Sequence, residues 1–223
     1  MITVIRNTFR QLINPNALLL LCLSLMIFFI PMLSVSYHSV AYNFLFSCIF
    51  ILSALSLQHI QKKRLVAFAL FLIIIIWIAS KINLSGLFLV SKIGQGLFFI
   101  FIVIRLIRQT ANANNVNVRV IADSINGYLL VGVIYSIVVY SMVRFQPDAY
   151  HFPEGNNGDE RMVMSKMIYY TFVTYTSTGY GDITPMISGA RSFATLISAS
   201  GQLYLAIIIA LLIGKFSSTG TKN

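Results

Sequence analysis

Long apolar runs, separated by short polar or basic breaks, leave this chain few ways to fold. A helix needs about 20 largely apolar residues to cross the hydrocarbon of a bilayer, with a range of about 17–25. Six runs approach or meet that length: 17–37, 40–57, 65–80, 91–107, 126–143 and 193–214. The third is short, with Lys81 at its end free to extend towards the interface. Residues 82–90 read as a connector, because a span begun earlier would carry Lys92 towards mid-membrane. Pro31 falls near the outer end of the first run, and a tight turn is expected at His38. The whole chain is 57% hydrophobic and 10% charged. A soluble domain carries about 25% charged residues, so lipid is the expected solvent. The expected class is an all-α membrane protein with six transmembrane helices.

The net charge of +10 is not spread over a nucleic-acid-binding face. Basic residues cluster at the ends of the apolar runs, as membrane topology requires. Six spans put both termini on one side, with Arg6, Arg10, Lys62, Lys63, Arg64, Arg105, Arg108, Arg119, Lys215 and Lys222, ten of the sixteen Lys and Arg. The positive-inside rule makes that side cytoplasmic. Asp123 is the one acidic residue assigned to it. The polar stretch 112–117 divides the chain into a four-span domain, 1–117, and a second domain, 118–223. Cys22 and Cys48 both lie in apolar runs and read as small buried hydrophobes.

Between the last two spans lie the apolar segment 164–175, too short to cross, and then Thr176-Ser177-Thr178-Gly179-Tyr180-Gly181-Asp182. Backbone that presents several carbonyl oxygens in one direction must pass through conformations ordinary residues resist. Gly179 and Gly181 adopt positive φ at little steric cost. With hydroxyls upstream and Asp182 downstream, the stretch resembles the selectivity filter of the potassium channels, in which carbonyls replace the hydration shell of K⁺. The resemblance covers the second domain: outer helix, re-entrant pore helix, filter and inner helix. The four earlier spans match only the general six-span plan.

That resemblance implies a K⁺-selective channel, passive and not an enzyme, with K⁺ as permeant ion and no cofactor. The filter would be Thr176, Ser177, Thr178, Gly179, Tyr180 and Gly181, with K⁺ bound by oxygens of Ser177, Thr178, Gly179 and Tyr180. Tyr180 would turn away and pack on the pore helix. Asp182 would bond behind the filter to Tyr169 or Tyr170. One loop cannot surround an ion, so a homotetramer in membrane lipid is implied. The usual family filter reads Thr-Val-Gly-Tyr-Gly. Here Ser177 lacks a methyl group that restricts its rotamer, Thr178 replaces an apolar side chain, and Val173 stands where some members carry a carboxylate.

In the last span Gly201 reads either as an inner-helix hinge or as a small residue for close packing. Leu205, Ile209 and Ile213 follow at four-residue steps. They suit an apolar gate or a lipid-facing stripe equally. Acidic groups at Asp148, Glu154, Asp159 and Glu160 either concentrate cations at the mouth or are ordinary solvated charges. His151 in the same loop is a candidate sensor of protons or metal, or an unspecialised loop residue.

A voltage sensor needs charges repeated through the fourth span. Here Lys92 is followed by none until Arg105 and Arg108, so strong voltage gating is not expected. No ligand-binding domain is legible, and a separate regulatory subunit of unknown identity is a further candidate partner. Two alternatives stand beside the channel: a K⁺ transporter subunit, and a non-conducting regulatory membrane protein on a pore scaffold.

Overall fold

The computed structural model describes residues 14–58, 62–82, 85–113, 115–153 and 160–220. Helix α1, Pro15–Ser24, starts where Asn14 caps it and proline occupies the first turn, a position that needs no N–H. It continues as a π turn, Leu25–Phe29, in which the Ile30 N–H reaches back to the Leu25 carbonyl. A 3₁₀ turn, Ile30–Met32, ends it. Pro31 cannot donate to the ladder, and the irregular turns absorb that loss. The chain therefore reverses at Leu33 and Ser34, earlier than the expected turn at His38. His38 lies inside α2, Val35–Ser56, buried, with its Nε2 3.0 Å from the Leu33 carbonyl oxygen.

Helix α3 is Lys62–Ile82 and α4 is Ser85–Asn112. The expected connector at 82–90 is thus mostly helix, with residues 83–84 outside the described ones. The chain places Lys92 by turning it inward. Its Nζ sits 5.4 Å from the Tyr140 ring centroid and 3.4 Å from Gln95 Oε1. A cation at this depth is accommodated by a ring face and an amide inside the bundle.

Helix α5, Val118–Phe145, opens with Asn117 accepting the Val120 N–H at 3.0 Å. Then come β1, Tyr150–His151, helix α6, Glu160–Tyr175, β2, Thr184–Pro185, and helix α7, Ser188–Gly220. Helix α6 starts about one turn before the expected 164. At 16 residues it measures about 24 Å, less than the ~30 Å hydrocarbon layer. Among the described residues five helical stretches are long and apolar enough to cross a membrane: Pro15–Met32, Ser36–Ser56, Leu89–Asn112, Val118–Phe145 and Ser188–Phe216. Helix α3 carries the remaining long apolar run.

Helix α5 is the axis of the molecule and packs against α1, α4, α6 and α7. One core joins α1–α5, with Phe50 against Phe98 and Phe99 at centroid distances of 4.8 and 4.7 Å. A second surrounds α6, with Tyr150, Met167, Tyr170, Tyr175, Ile183 and Ile197. Apolar burial does little to hold helices together in lipid, so close packing and polar contacts carry the association.

A polar joint closes the bundle end where α1 and α5 begin. Asp123 is 1% exposed and accepts from the side-chain amides of Asn16 and Gln109. Gln109 Oε1 accepts the Gln58 N–H at 3.0 Å, and the Arg119 guanidinium donates to the Ser56 carbonyl at 3.2 Å. Four helices, α1, α2, α4 and α5, thus meet on one carboxylate and one guanidinium.

Candidate functional site

The site starts at the C-terminus of α6. The Thr178 N–H bonds the Val173 carbonyl at 2.9 Å, and the Ser177 N–H bonds the Thr174 carbonyl at 2.9 Å. This pair is the Schellman termination of a helix, whose turning residue is left-handed and usually glycine. Here it is Ser177, at φ 60. Among the described residues it is the one non-glycine with positive φ. Holding an L-residue there costs about 1–2 kcal/mol.

The left-handed conformation then recurs at alternate residues: Ser177 at φ 60, Gly179 at 59 and Gly181 at 79. In an extended strand successive carbonyls point in opposite directions. Alternating the sign of φ instead allows successive carbonyls to turn towards one side, the arrangement that a row of oxygens along the loop requires. The row is open, since residues 176–181 are all exposed in the single chain. Neither glycine has a neighbouring atom within 4 Å of where a Cβ would stand, so their backbone angle, not crowding, explains the residue type.

Both ends of the row are anchored. At the inner end Thr176 Oγ1 donates to the Phe172 carbonyl at 2.8 Å and lies 3.0 Å from Thr178 Oγ1. At the outer end Tyr169 Oη donates to Asp182 Oδ2 at 2.7 Å. Loss of that proton would put a phenolate beside a carboxylate, which pushes the Tyr169 phenol up to about 12. Tyr170, the other expected partner of Asp182, packs edge-on against Tyr150 at 5.1 Å instead. The exit strand pairs Thr184 with His151 and Pro185 with Tyr150, and the Met186 N–H bonds the Ala149 carbonyl at 2.8 Å.

Tyr180 does not pack on α6 of its own chain as expected; it is 71% exposed. Gly201 meets α6 directly: a Cβ there would stand 2.0 Å from the Tyr175 carbonyl oxygen. Close approach therefore accounts for this glycine, and α7 continues as helix through it. Leu205, Ile209 and Ile213 are exposed in the single chain. Of the outer acidic residues, Glu154 and Asp159 lie outside the described residues, as do Arg6, Arg10 and Lys222. Cys22 and Cys48 are free. Among the described residues no cluster of His, Cys, Asp or Glu could hold a metal ion.

Sequence reasoning missed two residues. Ser198 Oγ lies 3.1 Å from Ser177 Oγ, and Gln202 Nε2 donates to the same oxygen at 3.0 Å. The available signal was a serine and an amide one turn apart on the helix that follows the loop.

Residues 127–218 match the family model described as ion channel. The A-type voltage-gated potassium channels KCND3 of Rattus norvegicus, Oryctolagus cuniculus and Homo sapiens are each 27% identical over 97 residues. That stretch is 44% of this chain and 14% of each relative. The C-terminal part of the chain is thus similar to ion-channel domains, and to potassium channels among them. No solved structure matches the chain. The matched residues span most of α5, all of α6 and the loop after it, and nearly all of α7.

Proposed function

We propose that the chain is one subunit of a tetrameric channel that conducts K⁺ passively and selectively. The observation that carries this reading is the alternation of left-handed residues at Ser177, Gly179 and Gly181, directly after the C-terminus of α6. Oxygens of Ser177, Thr178, Gly179 and Tyr180 would replace the water around a dehydrated ion. The carbonyl end of α6 carries the negative pole of its dipole, which favours a cation beside it.

One loop per chain calls for several chains, the likeness to potassium channels implies four, and the surface of α7 supports contact between copies. In the apolar 18-residue stretch of Ser188–Phe216 only 17% of residues are buried within one chain, against 33–41% in the corresponding stretches of the other candidate spans. In a ring, α7 would line the pathway and touch its neighbours, and Tyr180 would be covered by another subunit. We read α3 as a sixth span and α6 as re-entrant, with both termini cytoplasmic by the distribution of Lys and Arg, in the cell membrane. Leu205 and Ile209 would form the gate, with Gly201 fixing the height of α7 against α6. The name voltage-gated belongs to the relatives. In α4 of this chain Lys92 faces Tyr140, and no regular series of charges follows it, so we assign the first four spans no voltage-sensing role.

The test is flux. Purified protein in liposomes under a K⁺ gradient should pass K⁺ without ATP or a second ion, and Ba²⁺ should block it. Flux that requires either would indicate a transporter. Absence of flux under all ionic and voltage conditions would favour the non-conducting alternative.

A further inference from the structure

We propose that Gln202 and Ser198 are positioning residues of the ion pathway: together they hold the Ser177 hydroxyl that forms its innermost cation site. The inference rests on the channel reading above and adds the inner helix to the machinery that binds the ion.

Ser177 has two problems to solve. Its backbone is left-handed without being glycine, and such a conformation persists only where the surroundings over-determine it. Its side chain is exposed and has no second Cβ substituent to restrict χ1. The backbone bonds to Thr174 and Val173 close the turn but leave the hydroxyl free to rotate. Two side chains from α7, 21 and 25 residues away in sequence, converge on that hydroxyl. Ser198 and Gln202 are four residues apart and lie on one helix face. Gly201, next to Gln202, is pressed against the Tyr175 carbonyl, so the height of this face relative to the loop is set by contact.

Counting donors and acceptors turns this contact into an ion-binding argument. A hydroxyl has one proton and two lone pairs. The Gln202 amide nitrogen has only protons to give, so it occupies one lone pair. Between Ser177 and Ser198 either oxygen can donate. If Ser198 donates, both lone pairs of Ser177 are taken and its own proton is left to face the pathway. If Ser177 donates, one lone pair stays open. A cation at the inner end selects the second arrangement, because the first presents an O–H hydrogen to it. Gln202 thus limits Ser177 to one available lone pair, and Ser198 takes away the proton that would repel the ion. Four copies make a ring of four such oxygens.

Ba²⁺ has nearly the radius of K⁺ and twice its charge, so its block reports the affinity of an oxygen-lined site. Block from the side of the chain termini should be compared in liposomes for five proteins at equal tetramer content. Relative to the wild type, Gln202→Leu should raise the half-blocking Ba²⁺ concentration about tenfold, the factor expected for losing one hydrogen bond. Ser198→Ala should shift it the same way by a smaller factor. In a Ser177→Gly background, which suits the left-handed turn but has no hydroxyl, Gln202→Leu should change it less than about twofold. An unchanged half-block for Gln202→Leu in the Ser177 channel overturns the proposal. So does an equal shift in both backgrounds, which would make Gln202 merely structural. If Gln202→Leu does not assemble, Ser198→Ala, alone and with Ser177→Gly, decides by the same criterion. A conducting wild type with indifferent variants removes this inference alone, whereas a non-conducting wild type removes the channel reading with it.

Discussion

Helices α5 and α7 carry candidate spans of similar length and hydropathy: 28 residues at 1.8 and 29 residues at 2.2. Yet in the apolar 18-residue stretch of each, 39% of residues are buried inside the chain in the first and 17% in the second. Helix α5 touches α1, α4, α6 and α7 and carries the buried carboxylate of Asp123. Helix α7 is held by a few specific contacts. Gly201 lies on Tyr175, Tyr204 Oη donates to the Ser124 carbonyl at 2.9 Å, and Lys215 Nζ donates to the Ala111 carbonyl at 2.8 Å. Hydropathy reports compatibility with lipid, not how much of a helix touches its own chain. A helix that is apolar but thinly covered has surface to offer to other copies, to lipid and to a pathway. A helix that is equally apolar but well covered serves as scaffold.

The sharpest way to break this comparison is to crowd the one place where α7 presses on α6. Gly201→Val puts a side chain where Cβ alone would stand 2.0 Å from a backbone oxygen. Backbone cannot swing aside as a side chain does, so the variant is expected to lose K⁺ flux and tetramer yield on size exclusion. The expected destabilisation is at the upper end of the ~1–3 kcal/mol typical of overpacking. Gly214→Ala on the same helix meets nothing within 4 Å in its own chain and should remain within about twofold of wild-type flux. Equal behaviour of the two would show that α7 is not seated by this contact.

Next in size is the scaffold side. Asp123→Ala leaves the amides of Asn16 and Gln109 without their acceptor in a buried place. The expected cost is about 1–3 kcal/mol, read as a lower melting temperature in detergent, with the filter chemistry and Ba²⁺ block of the surviving channels unchanged. A shift in Ba²⁺ block without a change in melting would reverse the roles assigned to the two helices. Tyr204→Phe should cost about 1 kcal/mol by the loss of its bond to Ser124. Its effect should appear in open probability, since it releases α7 from α5 below the site. The smallest effect belongs to Lys215→Met. It removes an interaction between a side chain and two carbonyls at the C-terminal end of α4, and the change in flux should be less than about twofold.

Much of this arrangement is legible in the chain. Each apolar run falls on a helix among the described residues, five of them long and apolar enough to cross a membrane, and the glycines at 179 and 181 predicted the positive φ observed there. Boundaries moved where a single residue outweighed the run. Pro31 ended α1 early and placed His38 inside α2 rather than in the turn. Lys92 was read as a reason to delay α4, but an aromatic face and an amide accommodate it inside the bundle. The left-handed Ser177 escaped notice because serine carries no signal for that conformation. Gln202 escaped because one amide in an apolar helix has no meaning until its partner is known.

What the sequence determined by itself is what depends on neighbours along the chain. Transfer of an apolar run into lipid, closure of a helix ladder, and the tolerance of glycine for positive φ are all settled within a few residues. The tertiary structure alone decided which helix would be covered and which left open, where Lys92 points, and why Gly201 is small. It also brought Gln202 across 25 residues to the hydroxyl of Ser177. Those outcomes depend on distances between segments far apart in sequence, where a contact of 3 Å and a gap of 10 Å look alike until the helices are packed.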